Sequence, residues 1–399
     1  MKKIINILFI STFLIIIFSV GIISYVKDDR PISPVENRTL AQRPFIDPKT
    51  IVSGKFFKDF ETYFADQIYG RDHILKAYTK EQLFLKRAII NDIVVAKNDW
   101  LLYEPSAAGI AYEEMDKSLA NLKTLADETG VEVHFAAAPY KMNMLENIYP
   151  TFINEQLGIK RQQYFMSHLP SNVHGINLYQ SYKEEFTQDQ LETMFFKTDH
   201  HWNIDGAFIG YQKIINGLSD NSKIFKGKPL EKENMKMVCN HEAQFVGSLN
   251  QRLYSMVNTE GEKACYYEPF FDADHGKVST KTWDGKVYNN IKDIYASGVN
   301  RKDTIMYGHL FTWDYPEIKF EYDNAPNDLH VLILKDSYGN PIQPFLAQHF
   351  SKTSILDIRH YQEKSIAQYV KDNKVDMILF VYNDSNLTGA MYEFVPKAK

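Results

Sequence analysis

From Ile4 to Val26 the chain carries no charged residue. As a helix rising about 1.5 Å per residue, this run is roughly 34 Å long, enough to cross a hydrocarbon core of about 30 Å. Lys2 and Lys3 precede it; Lys27, Asp28, Asp29 and Arg30 follow at once. The alternative is a signal peptide removed on export. Signal peptides have shorter apolar cores and a small-residue cleavage site, and Ser24-Tyr25-Val26 matches such a site poorly. A retained single-pass anchor over residues 1–30 is therefore expected. The leading lysine pair favours an N-terminus in the cytoplasm, although Lys27 and Arg30 weaken the asymmetry. The bulk of the chain is then expected outside the cytoplasm.

Roughly 370 residues follow the apolar run, enough for one large domain and a smaller one. Hydrophobic residues make up 44% and aromatics 14% of the sequence, which supplies a core and excludes a disordered stalk. Net charge is −5, and the absence of a long basic run after the anchor argues against nucleic-acid binding. Only two cysteines occur, Cys239 and Cys265. An oxidising location permits a disulfide between them; two separate buried thiols are the other reading.

Arg30-Pro31-Ile32-Ser33-Pro34 reads as an extended linker, because each proline biases its predecessor away from helix. From Thr50 to about Arg87 apolar residues recur at helical spacing, among them Phe56, Phe57, Phe60, Phe64 and Ile68. Residues 31–90 are expected to form a helical entry segment and residues 91–399 the main domain. Ile89–Ala96 and Trp100–Tyr103 suit strands. Glu113–Thr129 reads as a helix stopped by Gly130, and Val131–Ala138 as the buried strand after it. Residues 220–325 lack clean periodicity and suggest short strands and loops.

The C-terminal part alternates strand and helix: His330–Lys335, Pro341–Phe350, Thr353–Ile358, Gln362–Asn373 and Val375–Tyr382. This implies an α/β fold with parallel pairing and right-handed crossovers. Ligands in such sheets bind beyond the carboxyl ends of the strands, where Ser337, Arg359 and Asn383 fall.

Ser337 is placed to open a helix, where backbone N–H groups stabilise negative charge. A serine needs a base to become a nucleophile; the inert alternative is a helix cap. The cluster Lys197-Thr198-Asp199-His200-His201-Trp202 supplies a candidate base. In an extended stretch Asp199 and His201 share a face, as an orienting carboxylate and a general base require, with Trp202 packing against the imidazole. A tight turn would make His200 the base instead. The rival is a metal site of two histidines and a carboxylate, but adjacent side chains diverge and helical zinc sites space histidines at i and i+4.

The same cluster with Gly206-Ala207 resembles the DHHW family, which is related to the SGNH-hydrolase-like proteins of alginate and cell-wall-polysaccharide O-acetylation. Glu36-Asn37-Arg38-Thr39-Leu40 with Pro44 resembles its entry signature, as does Gly54-Lys55-Phe56-Phe57 running to Asp66-Gln67 and Arg71. Ala138-Pro139-Tyr140-Lys141 resembles its strand-end motif, Phe245-Val246-Gly247-Ser248-Leu249 a family loop, and Lys335-Asp336-Ser337-Tyr338 its nucleophile block. Gly247 has the plainer reading of a turn residue.

The resemblance implies an SGNH-hydrolase-like sheet with flanking helices and a Ser–His–Asp triad of Asp199, His201 and Ser337, in permuted order because the Asp/His pair precedes the serine. Val381-Tyr382-Asn383-Asp384 resembles the Gly-x-Asn-Asp block of SGNH proteins without its glycine. Asn383 is then a candidate oxyanion donor beside the N–H groups of Ser337 or Tyr338. Arg359, Tyr338, Tyr382 and His200 are further candidates for substrate or oxyanion contact; Arg359 has the plainer role of pairing with Asp357 or Asp336. The implied activity is transfer of acetyl groups to hydroxyls of a polysaccharide through an acetyl-serine, with no cofactor and no metal. Because cytosolic acetyl-CoA does not reach that side, a multi-pass membrane acyltransferase is implied as partner. An esterase with the same triad, or a glycan-binding assembly protein using the aromatics between Tyr254 and Trp313, are the alternatives.

Overall fold

A computed structural model of the protein describes residues 2–33, 35–36, 38–105, 109–153, 157–268, 271–272 and 274–396. Pro34 of the expected linker and Asn37 of the expected entry signature lie outside them. The chain forms two compact units, residues 1–91 with 250–258 and residues 92–249 with 259–399.

In the first unit the apolar run is one helix, α1 (Lys2–Val26), long and apolar enough to cross a membrane or to act as a signal sequence. The linker is partly a strand, Ile32–Ser33 pairing antiparallel with Arg38–Thr39. The helical stretch is broken at Gly54 and Gly70, both left-handed, which delimit α2 (Lys55–Gln67) and α3 (Arg71–Phe84). The entry-signature residues contact one another. Arg38 pairs with Asp66 at 2.6 Å, Arg71 pairs with Glu36, and the Gln67 amide donates to the carbonyls of Arg30 and Ala41 at 2.9 and 3.0 Å. These contacts fasten Arg30, Glu36, Arg38 and Ala41 onto α2 and α3.

The second unit is built on a mixed eight-stranded sheet. Helix α4 (Tyr112–Thr129) carries Leu119, Leu122 and Leu125 on its buried face and ends at Gly130 with φ +66°. Strand β1 (Glu132–Ala138) follows, then β2 (Val173–Asn177), α5 (Ile204–Asn221), β3 (Gly276–Lys281), β4 (Val287–Tyr288), β5 (Glu317–Tyr322), β6 (His330–Lys335), β7 (Lys352–Leu356), α6 (Ile366–Asn373) and β8 (Met377–Asn383). The order across the sheet is β4-β3-β5-β7-β6-β8-β1-β2. The five strands from β7 to β2 run parallel, and β5, β3 and β4 extend the sheet antiparallel. This is an α/β fold with a central sheet and flanking helices, as expected. Part of the irregular region 220–325 thus belongs to the central sheet, because β3 and β5 alternate buried and exposed residues over too few positions to stand out.

Strand side chains alternate between two cores. Val331, Ile333, Leu379 and Val381 face the core of α5 and Trp202, whereas Leu332, Leu334, Phe380 and Tyr382 face the core of α4 and α6. Elsewhere Lys236–Asn240 pairs antiparallel with Ala264–Glu268, which sets Cys239 opposite Cys265 in a disulfide.

His134 and His349 are two of the imidazoles buried inside this fold. Burial pushes both His134, on β1, and His349, bonded to the Tyr211 hydroxyl at 2.6 Å, down to about 4. Both stay neutral when folded but take up a proton near pH 6.5 once unfolded. Their stability contribution is therefore complete above about pH 6.5 and falls as pH drops towards 4, by up to about 1.4 kcal/mol per pH unit for each. Urea midpoints should fall steeply between pH 7 and 5, and less steeply for His349→Gln; a flat wild-type profile contradicts the buried neutral histidines.

Candidate active site

Strand β6 ends at Lys335, and Asp336 caps a single 3-10 turn, Ser337–Gly339, by accepting the Tyr338 N–H at 2.9 Å. The inert capping role therefore belongs to Asp336, and the Ser337 hydroxyl is left for another partner. The long helix expected from Pro341 to Phe350 is only Gln343–Ala347. A helix N-terminus is thus not the source of negative-charge stabilisation here. Asp336 is fully buried and also accepts the Asn383 N–H at 2.7 Å and the Asn386 amide at 2.8 Å; its burial pushes the carboxyl up.

The partner is His201, whose Nε2 lies 2.7 Å from Ser337 Oγ. Its Nδ1 is 2.6 Å from Asp199 Oδ1, which also accepts the His201 N–H at 3.0 Å. Residues 196–201 are not extended. They form a tight turn closed by a Phe195–Trp202 bridge and by the Phe196 N–H on the His201 carbonyl at 3.2 Å. His201 nevertheless reaches the serine, because an Asx-type turn on Asp199 swings the i+2 residue back over its own carboxylate. His200 points elsewhere: its Nδ1 is 2.6 Å from Ser248 Oγ, and burial with repulsion from His201 pushes it down to about 3. It is neutral at ordinary pH and does not face Ser337 as a base. Burial pushes the Asp199 carboxyl up, but the charge and hydrogen bond of His201, with His200 and the Ser248 N–H, hold it well below the usual carboxylate range.

Several residues to which the sequence reading gave no part in the site fix this geometry. The Ser248 N–H donates to Asp199 Oδ2 at 2.6 Å. Gly247 permits that approach: a Cβ there would stand 2.2 Å from the Thr198 carbonyl. Gly247 thus serves close contact with the histidine turn and not merely its own. Lys141, fully buried, donates to the carbonyls of Leu101, Lys197 and Asp199 at 2.7, 3.0 and 2.8 Å; burial pushes its ammonium down. The Thr198 N–H and hydroxyl both donate to Glu262. Tyr307 stacks on His201, 3.8 Å between centroids, and donates to the Ser337 carbonyl at 2.9 Å. The expected imidazole packing by Trp202 is corrected accordingly: Trp202 donates to the Tyr338 carbonyl and packs on that ring.

The other candidates divide. The Asn383 amide oxygen accepts from the Ser385 N–H and hydroxyl at 2.7 and 2.5 Å, which leaves Nδ2 without an acceptor among the described residues. The Ser337 N–H likewise has none, whereas the Tyr338 N–H is taken by Asp336. Arg359 is corrected to an ion-pair role, bonded to Asp357 at 2.8 and 2.5 Å and to Asp314 at 3.0 Å. Tyr338 does not line a surface: it is buried, donating to the His200 carbonyl at 2.6 Å. Tyr382 sits in the core on the opposite face of the sheet, donating to the Met391 carbonyl. Of the aromatics between Tyr254 and Trp313 offered for sugar stacking, Tyr266, Tyr267, Tyr295, Tyr307 and Phe311 are buried.

Asp199, His200 and His201 offer ligand atoms within 4.8 Å of one another. Both Asp199 oxygens, His201 Nδ1 and Nε2, and His200 Nδ1 are engaged in the hydrogen bonds above.

The family model described as DHHW protein matches residues 141–356. Two structures of Bacillus cereus PatB1 superpose with TM-scores of 0.69: one, with a sulfonyl adduct, at 38% identity over 77% of this chain and 99% of that one; the other at 40% over 76% and 99%. A DHHW family protein from Eubacterium siraeum aligns with a TM-score of 0.59 at 19% identity, over 78% of this chain and 98% of its own, a likeness of fold alone. No curated protein matches the chain.

Because small displacements of a reacting group are costly, Gly247→Ala should slow sulfonyl fluoride labelling of Ser337 by roughly 10–100-fold while the circular dichroism spectrum is retained. Labelling at the wild-type rate contradicts a packing role for Gly247.

Proposed function

The chain belongs to the DHHW family, and from that premise we propose that it is a membrane-anchored, extracytoplasmic O-acetyltransferase acting on polysaccharide hydroxyls. The observation that carries the reading is the 2.7 Å approach of His201 Nε2 to Ser337 Oγ, continued by the 2.6 Å contact to Asp199. This is the hydrogen-bond pattern a serine needs to act as a nucleophile.

In the proposed cycle His201 Nε2 takes the proton from Ser337 Oγ as that oxygen attacks the acetyl carbonyl of a donor ester. The Ser337 N–H and Asn383 Nδ2, both without an acceptor among the described residues, stabilise the oxyanion. The intermediate collapses to acetyl-Ser337, and His201 returns the proton to the departing alcohol. A sugar hydroxyl then gives its proton to His201 and attacks the acetyl group, and His201 returns that proton to Ser337 Oγ as the sugar ester is released. Asp199 holds the imidazole in the tautomer that leaves Nε2 to accept. Tyr307 prevents the ring from turning. Formation of a sulfonyl adduct consumes a nucleophile, and we expect Ser337 to react with such reagents.

The location is supported by α1 and by the Cys239–Cys265 disulfide, which suits an oxidising compartment. Since acetyl-CoA is cytosolic, the reading requires a partner that carries acetyl groups across, and a multi-pass membrane acyltransferase meets that need.

Ser337→Ala should abolish acetyl transfer from an activated ester to polysaccharide with an unchanged melting temperature, and His201→Ala should lower the rate by about 10²–10⁴-fold. Retained transfer in the serine variant overturns the assignment. Release of acetate without any transfer, whatever glycan is supplied, identifies an esterase instead.

A further inference from the structure

A cavity of about 520 Å³ opens beyond the ends of β1 and β8, with Tyr140 after β1 and Asp384 after β8 on its wall. Strand β8 lies between β1 and β6, the strand that leads to Ser337. With neighbouring strands about 4.8 Å apart, the cavity and Ser337 share one end of the sheet, one to two strands apart. Tyr103, also on the wall, has its ring 6.0 Å from that of His200.

The wall pairs aromatic faces with unspent polar atoms. Tyr103, Tyr140 and Tyr149 line it, and the Tyr149 hydroxyl donates to the Tyr103 carbonyl at 2.7 Å. Asp384 is fully buried; its Oδ1 accepts from the Asn143 amide at 2.6 Å, and its Oδ2 has no partner among the described residues. Glu146 Oε2 and Arg161 Nε, on the same wall, are also buried without a partner. Buried polar atoms are nearly always paired, and leaving one unpaired is costly. Three such atoms around one cavity indicate a ligand that both donates and accepts.

We infer that this cavity is the acceptor subsite, built for an uncharged hexose unit of the polymer. Sugar hydroxyls donate to carboxylates and accept from a guanidinium, as this set of orphan atoms requires, while the C–H faces of a pyranose lie against tyrosine rings. An apolar ligand would leave all three polar atoms unpaired. A phosphate or uronate would meet the carboxylates of Glu146 and Glu104 against the single Arg161 guanidinium of the wall. Burial pushes the Asp384 carboxyl up to about 8, so near neutral pH it also has a proton to donate. The assignment of an acceptor to this cavity rests on the proposed acetyl-Ser337 chemistry; the binding itself does not require it.

Calorimetric titration of the full-length protein in detergent with maltotetraose, chitotetraose and tetragalacturonate tests this. At least one uncharged tetrasaccharide should bind more tightly than tetragalacturonate, and Asp384→Ala and Arg161→Met should each weaken it about tenfold or more. A melting curve checks that each variant folds, and Arg161→Met carries the test if Asp384→Ala does not. Unchanged affinity in the folded variants, preference for the uronate, or no binding by any of the three overturns the subsite. Because binding needs no nucleophile, these outcomes stand apart from the fate of Ser337 as catalyst.

Discussion

The Asp199 carboxylate is the constraint around which this site is arranged. A buried charge is tolerated only when its oxygens are paired, and removing one partner of such a group typically costs about 3–5 kcal/mol. Asp199 is 1% exposed and receives three N–H groups, from the His201 backbone, the His201 ring and the Ser248 backbone. Each of those bonds imposes a further requirement. The two from His201 close the turn that turns Nε2 towards Ser337. The one from Ser248 brings a distant loop against Thr198, which Gly247 alone makes sterically possible. Behind the turn, the Lys141 ammonium gathers three carbonyls, one of them that of Asp199 itself.

The sheet supplies the other half of the geometry. Asp336 links two neighbouring strand ends, since it caps the Ser337 turn after β6 and accepts the N–H of Asn383, the last residue of β8. The serine and the candidate oxyanion amide are therefore held to one carboxyl group. A displacement of either strand end would move both, which is a rigid support for a site that must hold reacting groups closely.

How much of this could be read in the sequence follows the range of each interaction. Helix α4, with its leucines and Gly130, and strands β1, β6, β7 and β8 were legible because periodicity and punctuation are local. Strands β3 and β5 were not, since their pairing with β7 and with each other is decided by partners far along the chain. The three residues Asp199, His201 and Ser337 stood out by chemical type and by resemblance to a family. Tyr307 and Glu262 did not, and Lys141 and Ser248 were legible only as members of family motifs with no role attached, because nothing in a tyrosine among 25 or a buried lysine announces the group it will touch. Tyr338 and Tyr382 show the converse: their position at strand ends suggested a surface, yet each hydroxyl finds a backbone carbonyl and the rings complete the cores.

Under the proposed function α1 anchors the chain and the hydroxyl of Ser337 receives acetyl groups from a membrane source. What that reading requires above all is that this hydroxyl carries the acetyl group. Mass spectrometry of the protein quenched in acid during turnover of an activated acetyl ester addresses it directly. The account predicts one acetyl group, mapped to the peptide containing Ser337 and lost when a glycan acceptor is added. An acetyl group on any other residue, or none under conditions of steady turnover, would contradict it.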